Sequence, residues 1–272
     1  MTRTAQAVIL AGGLGTRMRR PDGSGGLTPG QASTADLGLK GMISFARPFL
    51  DYVLSALADA GITRATLVVS PEHDVVREYF TATSAGRRVT VDFAVQREPR
   101  GTAHAVLAAR DTVRDASFLV LNADNYYYPR EVAALAALGA SGLVAYEADA
   151  LVAQSGMEPG RELHFALLDI APDDTLREIR EKPAADDPLA LSPERWVSMN
   201  LWSFTPAIFT ACEHVRPSPR GELELQGAVT YAMLDMGEEF LVVRTRAGVF
   251  DLSTRADVER VRGQLASIDP RP

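Results

Sequence analysis

Residues Ala7-Val8-Ile9-Leu10 form an unbroken apolar run that empties through Ala11 into Gly12-Gly13-Leu14-Gly15-Thr16-Arg17. A strand without polar alternation is buried on both faces, as at the centre of a parallel sheet covered by helices on either side. Glycines directly after such a strand let the backbone approach a ligand closely, and successive N–H groups there can cradle an anion. Arg17 adds a fork of donors suited to phosphate oxygens. On spacing alone, an ordinary tight strand-to-helix turn would look the same. Two other phosphate motifs are disfavoured. The dinucleotide fingerprint needs a third glycine where Met18 stands, and the P-loop needs a Gly-Lys pair that occurs nowhere in the chain.

The chain continues in strand–helix alternation. Leu50, Val53, Leu54 and Leu57 share one helical face within 48–60, and Gly61 stops the pattern. Ala65–Val69 reads as a strand, 73–82 as a helix, and the alternating Val89, Val91, Phe93 and Val95 as a third strand. A short helix over Thr102–Arg110 precedes a fourth strand, Ser117–Leu121, which ends at Asn122-Ala123-Asp124-Asn125. Extended stretches are expected at Leu143–Tyr146, Leu163–Ile170, Leu176–Arg180, Val197–Phe204, Phe240–Arg244 and Val249–Leu252. Helices are expected at 206–214, 222–236 and 255–266, the last opened by a capping box of Thr254 and Asp257. This order implies a mixed, mostly parallel sheet covered on both faces, in one domain over 1–272. Residues 20–37, rich in Gly, Pro, Ser, Thr and Asp, read as a flexible loop that is either a lid or a surface insertion.

Composition narrows the class. With 46% hydrophobic residues in 272, the chain can build a sizeable core. A net charge of -7 disfavours non-specific binding to nucleic acid or membrane. The lone Cys212 allows no internal disulfide, which suits a reducing cytoplasm. No stretch approaches the roughly 18 apolar residues of a membrane span. The Ala5–Ala11 run is too short for a secretory leader, so a cytoplasmic location is expected. Assembly into a homo-oligomer is compatible with such a chain.

Asp124 follows a buried strand, where open α/β sheets place their ligands, and one or two carboxylates suffice for Mg²⁺. Read alone, it could equally cap its loop. The Arg177–Lys182 stretch could be a solvated charged turn, and Gln96 simply a polar strand end. Asn200 interrupts an apolar strand, VSMNLWSF, and so needs a partner, either a ligand hydroxyl or nearby backbone. His104 suits a structural role, and His73, His164 and His214 have no metal-ligand spacing. The run Tyr126-Tyr127-Tyr128 is best read as aromatic packing.

Taken together, AVILAGGLGTRM resembles the signature of the sugar-1-phosphate nucleotidylyltransferases. Further segments are similar in the same order: KGMISFARPFLDYVLSALADAGI from Lys40, QREPRGTA from Gln96, NADN at Asp124, Glu181-Lys182-Pro183, Val197–Phe209, Gly221–Val229 and FDLST from Phe250. The resemblance implies a Rossmann-like three-layer α/β/α fold. It implies transfer of a nucleotidyl group from an NTP to a sugar-1-phosphate, with Mg²⁺ as cofactor. Leu10, Ala11, Gly12, Gly13, Gly15 and Thr16 would hold the nucleotide, with Gln96, Gly101 and Thr102 framing the base. Arg17, Lys40, Asp124 and Lys182 would be catalytic. Glu181, Lys182 and Asn200 would hold the sugar phosphate, and Asp124 and Asp251 the metal.

Four departures from the family pattern bear on Lys40 and on the substrates. The stretch from Arg17 to Lys40 is long, Gly41-Met42 replaces Pro-Leu, Ala166 replaces a glycine, and Gln226-Gly227 stands where Thr-Asp is usual. They leave the sugar open and admit a cyclitol phosphate. No fused acyltransferase β-helix is expected. A glycosyltransferase of similar topology would need a D-x-D metal motif, and NADN offers one aspartate. A non-catalytic nucleotide-sugar regulator is the other alternative, against which Arg17, Asp124, Lys182 and Asp251 all speak.

Overall fold

The computed structural model describes residues 3–21, 23, 26–113 and 116–272. Its strands are β1 Gln6–Leu10, β2 Arg64–Val69, β3 Thr90–Val95, β4 Phe118–Asn122, β5 Asn125–Tyr126, β6 Gly142–Glu147, β7 Ala166–Ile170, β8 Leu176–Glu181, β9 Trp196–Phe204, β10 Leu241–Thr245 and β11 Phe250–Asp251. The main sheet runs β10-β6-β9-β4-β1-β2-β3, with β7 joined to β8 and β9 at its side. Pairing is parallel from β4 through β1 and β2 to β3, and between β10 and β6. β9 lies antiparallel between β4 and β6.

The apolar β1 sits at the centre of this sheet. Ala7 and Ile9 join one hydrophobic core, while Val8 joins a second core on the opposite face. That division of one strand between two cores makes the fold a three-layer α/β/α sandwich. The helix Phe49–Asp59 packs into the first core, and the helices Thr102–Ala108, Ala207–His214 and Leu225–Asp235 into the second. Among the described residues, no helix is long and apolar enough to cross a membrane.

β1 and β4 are neighbours, but the chain leaves β1 towards β2 and leaves β4 towards the other half of the sheet. The loops after their carboxyl ends therefore diverge and open a crevice, the usual ligand position in such sheets. The glycine turn follows β1, and Ala123-Asp124 follows β4.

Several sequence expectations are corrected. The 20–37 stretch is not simply a loop: Pro29–Asp36 is a helix opened by a capping box, with Gln31 N donating to Thr28 Oγ1 at 3.3 Å and Thr28 N to Gln31 Oε1 at 3.0 Å. Proline at its first turn suits a helix start, and the buried Gln31 ties it to Ser44 O at 2.6 Å. The part of that expectation on residues 22, 24 and 25 lies outside the described residues. The helices Pro129–Leu138 and Ala148–Ser155 were not anticipated, although Pro129 and Gly139 bracket the first of them. Residues 163–164 belong to a 3-10 turn, Arg161–His164, rather than to a strand. The helix expected from 222 begins at Leu225, because 223 is held alongside 100–103. Thr254 and Asp257 form only half of a capping box: Thr254 N donates to Asp257 Oδ2 at 2.7 Å, but Thr254 Oγ1 also donates to that oxygen, at 2.8 Å, instead of accepting, and the helix is capped at Ala256.

Candidate active site

The glycine turn closes on itself through backbone contact. Gly15 has φ +59°, and a Cβ there would stand 2.3 Å from Gly38 O. Gly38, at φ +73°, meets Leu14 O just as closely, so both positions require glycine. Gly12 is tight but less extreme: a Cβ would lie 3.3 Å from Ser70 N and 3.4 Å from Gln96 Oε1. Ala11 N donates to Val68 O at 2.8 Å, holding the start of the turn against β2.

This turn forms one wall of a cavity of about 380 Å³. Leu10, Ala11, Gly12, Gly13, Gly15, Thr16, Gln96, Gly101 and Thr102 all line it, as do Lys40 and Asp124. Gln96 is buried, and its Nε2 donates to Gly101 O at 3.0 Å and lies 3.3 Å from His104 Nδ1. Gly101, at φ +114°, abuts the backbone of Leu223. Leu223 N donates to Arg100 O at 2.7 Å, Ala103 N to Leu223 O at 2.9 Å, and Leu225 N to Thr102 Oγ1 at 2.8 Å. The 96–102 segment is thus fastened to the start of the helix Leu225–Asp235. Glu222 reaches the same cavity, and sequence reading missed both it and Gly38.

A second, smaller and more polar cavity of about 140 Å³ lies beside the first. Arg17, Asp124, Glu181, Lys182, Asn200 and Asp251 line it, together with Arg161 and His164. Arg17 thus borders this second cavity and not the one formed by the glycine turn it follows. Lys182 has φ 45° and Asn200 φ 59°, a left-handed backbone that side-chain-bearing residues rarely adopt. Two such residues bordering one cavity mark it as a place where strain is retained. Asn200 Oδ1 accepts from Gln226 Nε2 at 3.0 Å, a side-chain partner in place of nearby backbone. Burial pushes the Glu181 carboxyl up, partly offset by Lys182 at 3.5 Å.

Asn122 and Asp124 border both cavities. Lys40 Nζ contacts Asp124 Oδ2 at 2.7 Å, so the lysine expected on phosphate is paired with the aspartate expected on the metal. Asp251 is brought alongside by β11, which pairs antiparallel with β5 so that Asp251 faces Asn125. Burial raises its carboxyl pKa, and the neighbouring Asp124 charge adds to this. Asn125 Nδ2 at 3.1 Å, Ser253 Oγ at 2.9 Å and Arg161 Nη2 at 2.5 Å all donate to it. Among the described residues, no three His, Cys, Asp or Glu side chains converge on a metal position. Asp124, partly exposed with a single flexible partner, has the hard oxygen donor that Mg²⁺ takes. The tyrosines serve packing: Tyr126 stacks on Phe250 at 5.1 Å, and Tyr127 Oη donates to Met199 O at 2.5 Å.

The fold and these cavities define an α/β protein of the switch-point kind, with two ligand-sized hollows meeting at one carboxylate. The family model described as nucleotidyl transferase matches residues 6–252, and the chain belongs to that family. It is a nucleotidyltransferase. It is 30% identical over 227 residues to the UTP–glucose-1-phosphate uridylyltransferase AglF of Haloferax volcanii, spanning 82% of each chain. It is 29% identical over 280 residues to a glucose-1-phosphate thymidylyltransferase of Streptomyces antibioticus, covering 98% of this chain and 68% of that one. In fold it resembles a UDP-glucose pyrophosphorylase solved with UDP-glucose, with a TM-score of 0.72 at 16% identity over 97% of this chain and 99% of the other.

Proposed function

We propose that this protein transfers a nucleotidyl group from an NTP to a sugar-1-phosphate, with Mg²⁺, giving an NDP-sugar and pyrophosphate. The observation that carries this reading is that Asp124 and Asn122 border both cavities. A nucleotide in the larger hollow and a phosphosugar in the smaller one would meet there, α-phosphorus to phosphate oxygen. The relatives named for glucose-1-phosphate support an acceptor of that class.

The acceptor oxygen is already anionic, so no serine, cysteine or general base is required. It attacks the α-phosphorus in line, the bond to the bridging oxygen breaks, and pyrophosphate leaves. Catalysis then rests on positioning and charge neutralisation. The glycine turn presents backbone N–H groups to the triphosphate, and Gln96 with Gly101 frames the base. Lys182 and Arg17 hold the acceptor phosphate. Glu181 and Asn200 orient the sugar. Lys40 exchanges Asp124 for a phosphate oxygen when the nucleotide arrives. Asp124 would hold Mg²⁺, which would neutralise negative charge on the reacting phosphates.

Pyrophosphate release from the four common NTPs and dTTP, crossed with hexose-1-phosphates and an inositol phosphate, tests the reading. At least one pair is expected to turn over. Silence across the panel, with no thermal shift by any nucleotide or nucleotide sugar, would overturn it.

A further inference from the structure

Asp124 and Asp251 lie at the same corner, yet they are bound in different ways. Asp124 has one partner, Lys40 at 2.7 Å, whose ammonium rides on a flexible stem; the two side chains are 19% and 18% exposed. Asp251 is 3% exposed, and both its oxygens are engaged. Its Oδ1 accepts from Asn125 and Ser253, and its Oδ2 from Arg161.

Arg161 is itself fixed. Its Nη1 donates to Asp257 Oδ1 at 2.8 Å and its Nη2 to Asp257 Oδ2 at 3.1 Å, a forked contact beyond the one to Asp251. Asp257 is buried and held from its other side by Arg260 at 2.6 Å, by Ser253 N at 3.1 Å and by Thr254 N at 2.7 Å. Two carboxylates and two guanidiniums thus balance in one cluster. A divalent ion at Asp251 would have to expel an arginine locked between two buried carboxylates, or add a double positive charge to a neutral group. Either is costly away from water. No such obstacle stands at Asp124, because Lys40 can move to a phosphate.

We propose that Arg161 is a resident cation that removes Asp251 from the metal-ligand set, leaving the divalent ion to Asp124 and the substrate phosphates. The assignment rests on the nucleotidyl-transfer reading above. Arg161 acts here as a positioning residue, through Asp251, and its guanidinium borders the acceptor cavity. One carboxylate with phosphates and waters is an ordinary set for Mg²⁺.

Mn²⁺ binding to the full chain, followed by electron paramagnetic resonance with and without a non-hydrolysable NTP analogue, tests the assignment without relying on turnover. Asp124→Asn is expected to weaken Mn²⁺ binding to the nucleotide complex by about tenfold or more, whereas Asp251→Asn shifts it by less than about threefold. Arg161→Met exposes Asp251 and is expected to tighten Mn²⁺ binding without nucleotide by about tenfold. Equal losses in Asp124→Asn and Asp251→Asn would overturn the assignment, as would unchanged Mn²⁺ binding in a folded Arg161→Met. If that variant does not fold, the two aspartate variants still decide. A wild-type chain that binds no Mn²⁺ with the analogue overturns the functional reading itself, an outcome distinct from equal losses in the two variants.

Discussion

Asp257 shows how far one side chain can reach in this molecule. Burial works against its charged form, but the Arg161 hydrogen bond and charge, joined by those of Arg260, outweigh it and hold the carboxyl at about 2. The native value lies below the ordinary one of about 3.9, so the ionised carboxylate stabilises the fold above that range, by on the order of 2 kcal/mol. The contribution is lost as pH falls from about 4 through about 2. Asp257→Asn is expected to lower stability at neutral pH and to flatten its decline across that acid window, read by urea unfolding at successive pH values. A variant as steeply acid-sensitive as the wild type would refute this. None of it was legible in the sequence, where Asp257 read as half of a capping box. Arg161 lies 96 residues away in the chain, and nothing in its local sequence marked it as a partner. The left-handed backbone at Lys182 and Asn200 was equally hidden, since nothing local requires it.

Among the elements, the glycine turn was the most legible because its chemistry is local. A strand that is buried on both faces, then glycines, then an arginine can be read within a dozen residues. Its partner was not. Gly38 closes against Gly15 from across a segment whose Gly, Ser and Thr content masked the helix Pro29–Asp36, although Thr28-Pro29-Gly30-Gln31 carries a capping signature. That helix is also anchored outward, through Arg255 to Asp36 and through Arg262 Nη2 to Gln31 Oε1 at 3.0 Å. The turn is therefore braced on both sides, and Gly15→Ala tests the brace. Alanine at φ +59° is strained, and its Cβ would meet backbone 2.3 Å away, with no side chain that can yield. A loss of about 2 kcal/mol or more is expected. It should appear as a lower Tm with a raised KM for the nucleotide, while the KM for the acceptor changes less. An unchanged Tm and nucleotide KM would show that the Gly15–Gly38 contact is dispensable.

At the scale of the whole molecule, the apolar run was enough to place β1 centrally and the strand pattern to put Asp124 at a strand's carboxyl end, whereas the pairing of β1 with β4 emerges only in the fold. The reversed β9, between β4 and β6, was not foreseeable, since an apolar strand reads the same in either direction. Yet β9 carries Asn200 into the second cavity, and the β5–β11 ribbon brings Asp251 to the corner. Long-range pairing thus assembles the smaller cavity, whereas much of the larger one comes from short segments after β1, β3 and β4. That division explains why the glycine-turn residues were the easier set to read; of the four departures, Lys40 and Gly41-Met42 border the larger cavity, and Ala166 the smaller.

In the proposed reaction the two cavities deliver an acceptor phosphate to the nucleotide α-phosphorus at Asp124. Phosphorus NMR of a reaction containing the active NTP, its phosphosugar and Mg²⁺ observes that event directly. Paired diphosphate resonances of an NDP-sugar are expected to grow in step with pyrophosphate, and neither is expected in a folded Asp124→Asn variant. Pyrophosphate with a free nucleoside monophosphate, or undiminished NDP-sugar formation by that variant, would contradict it.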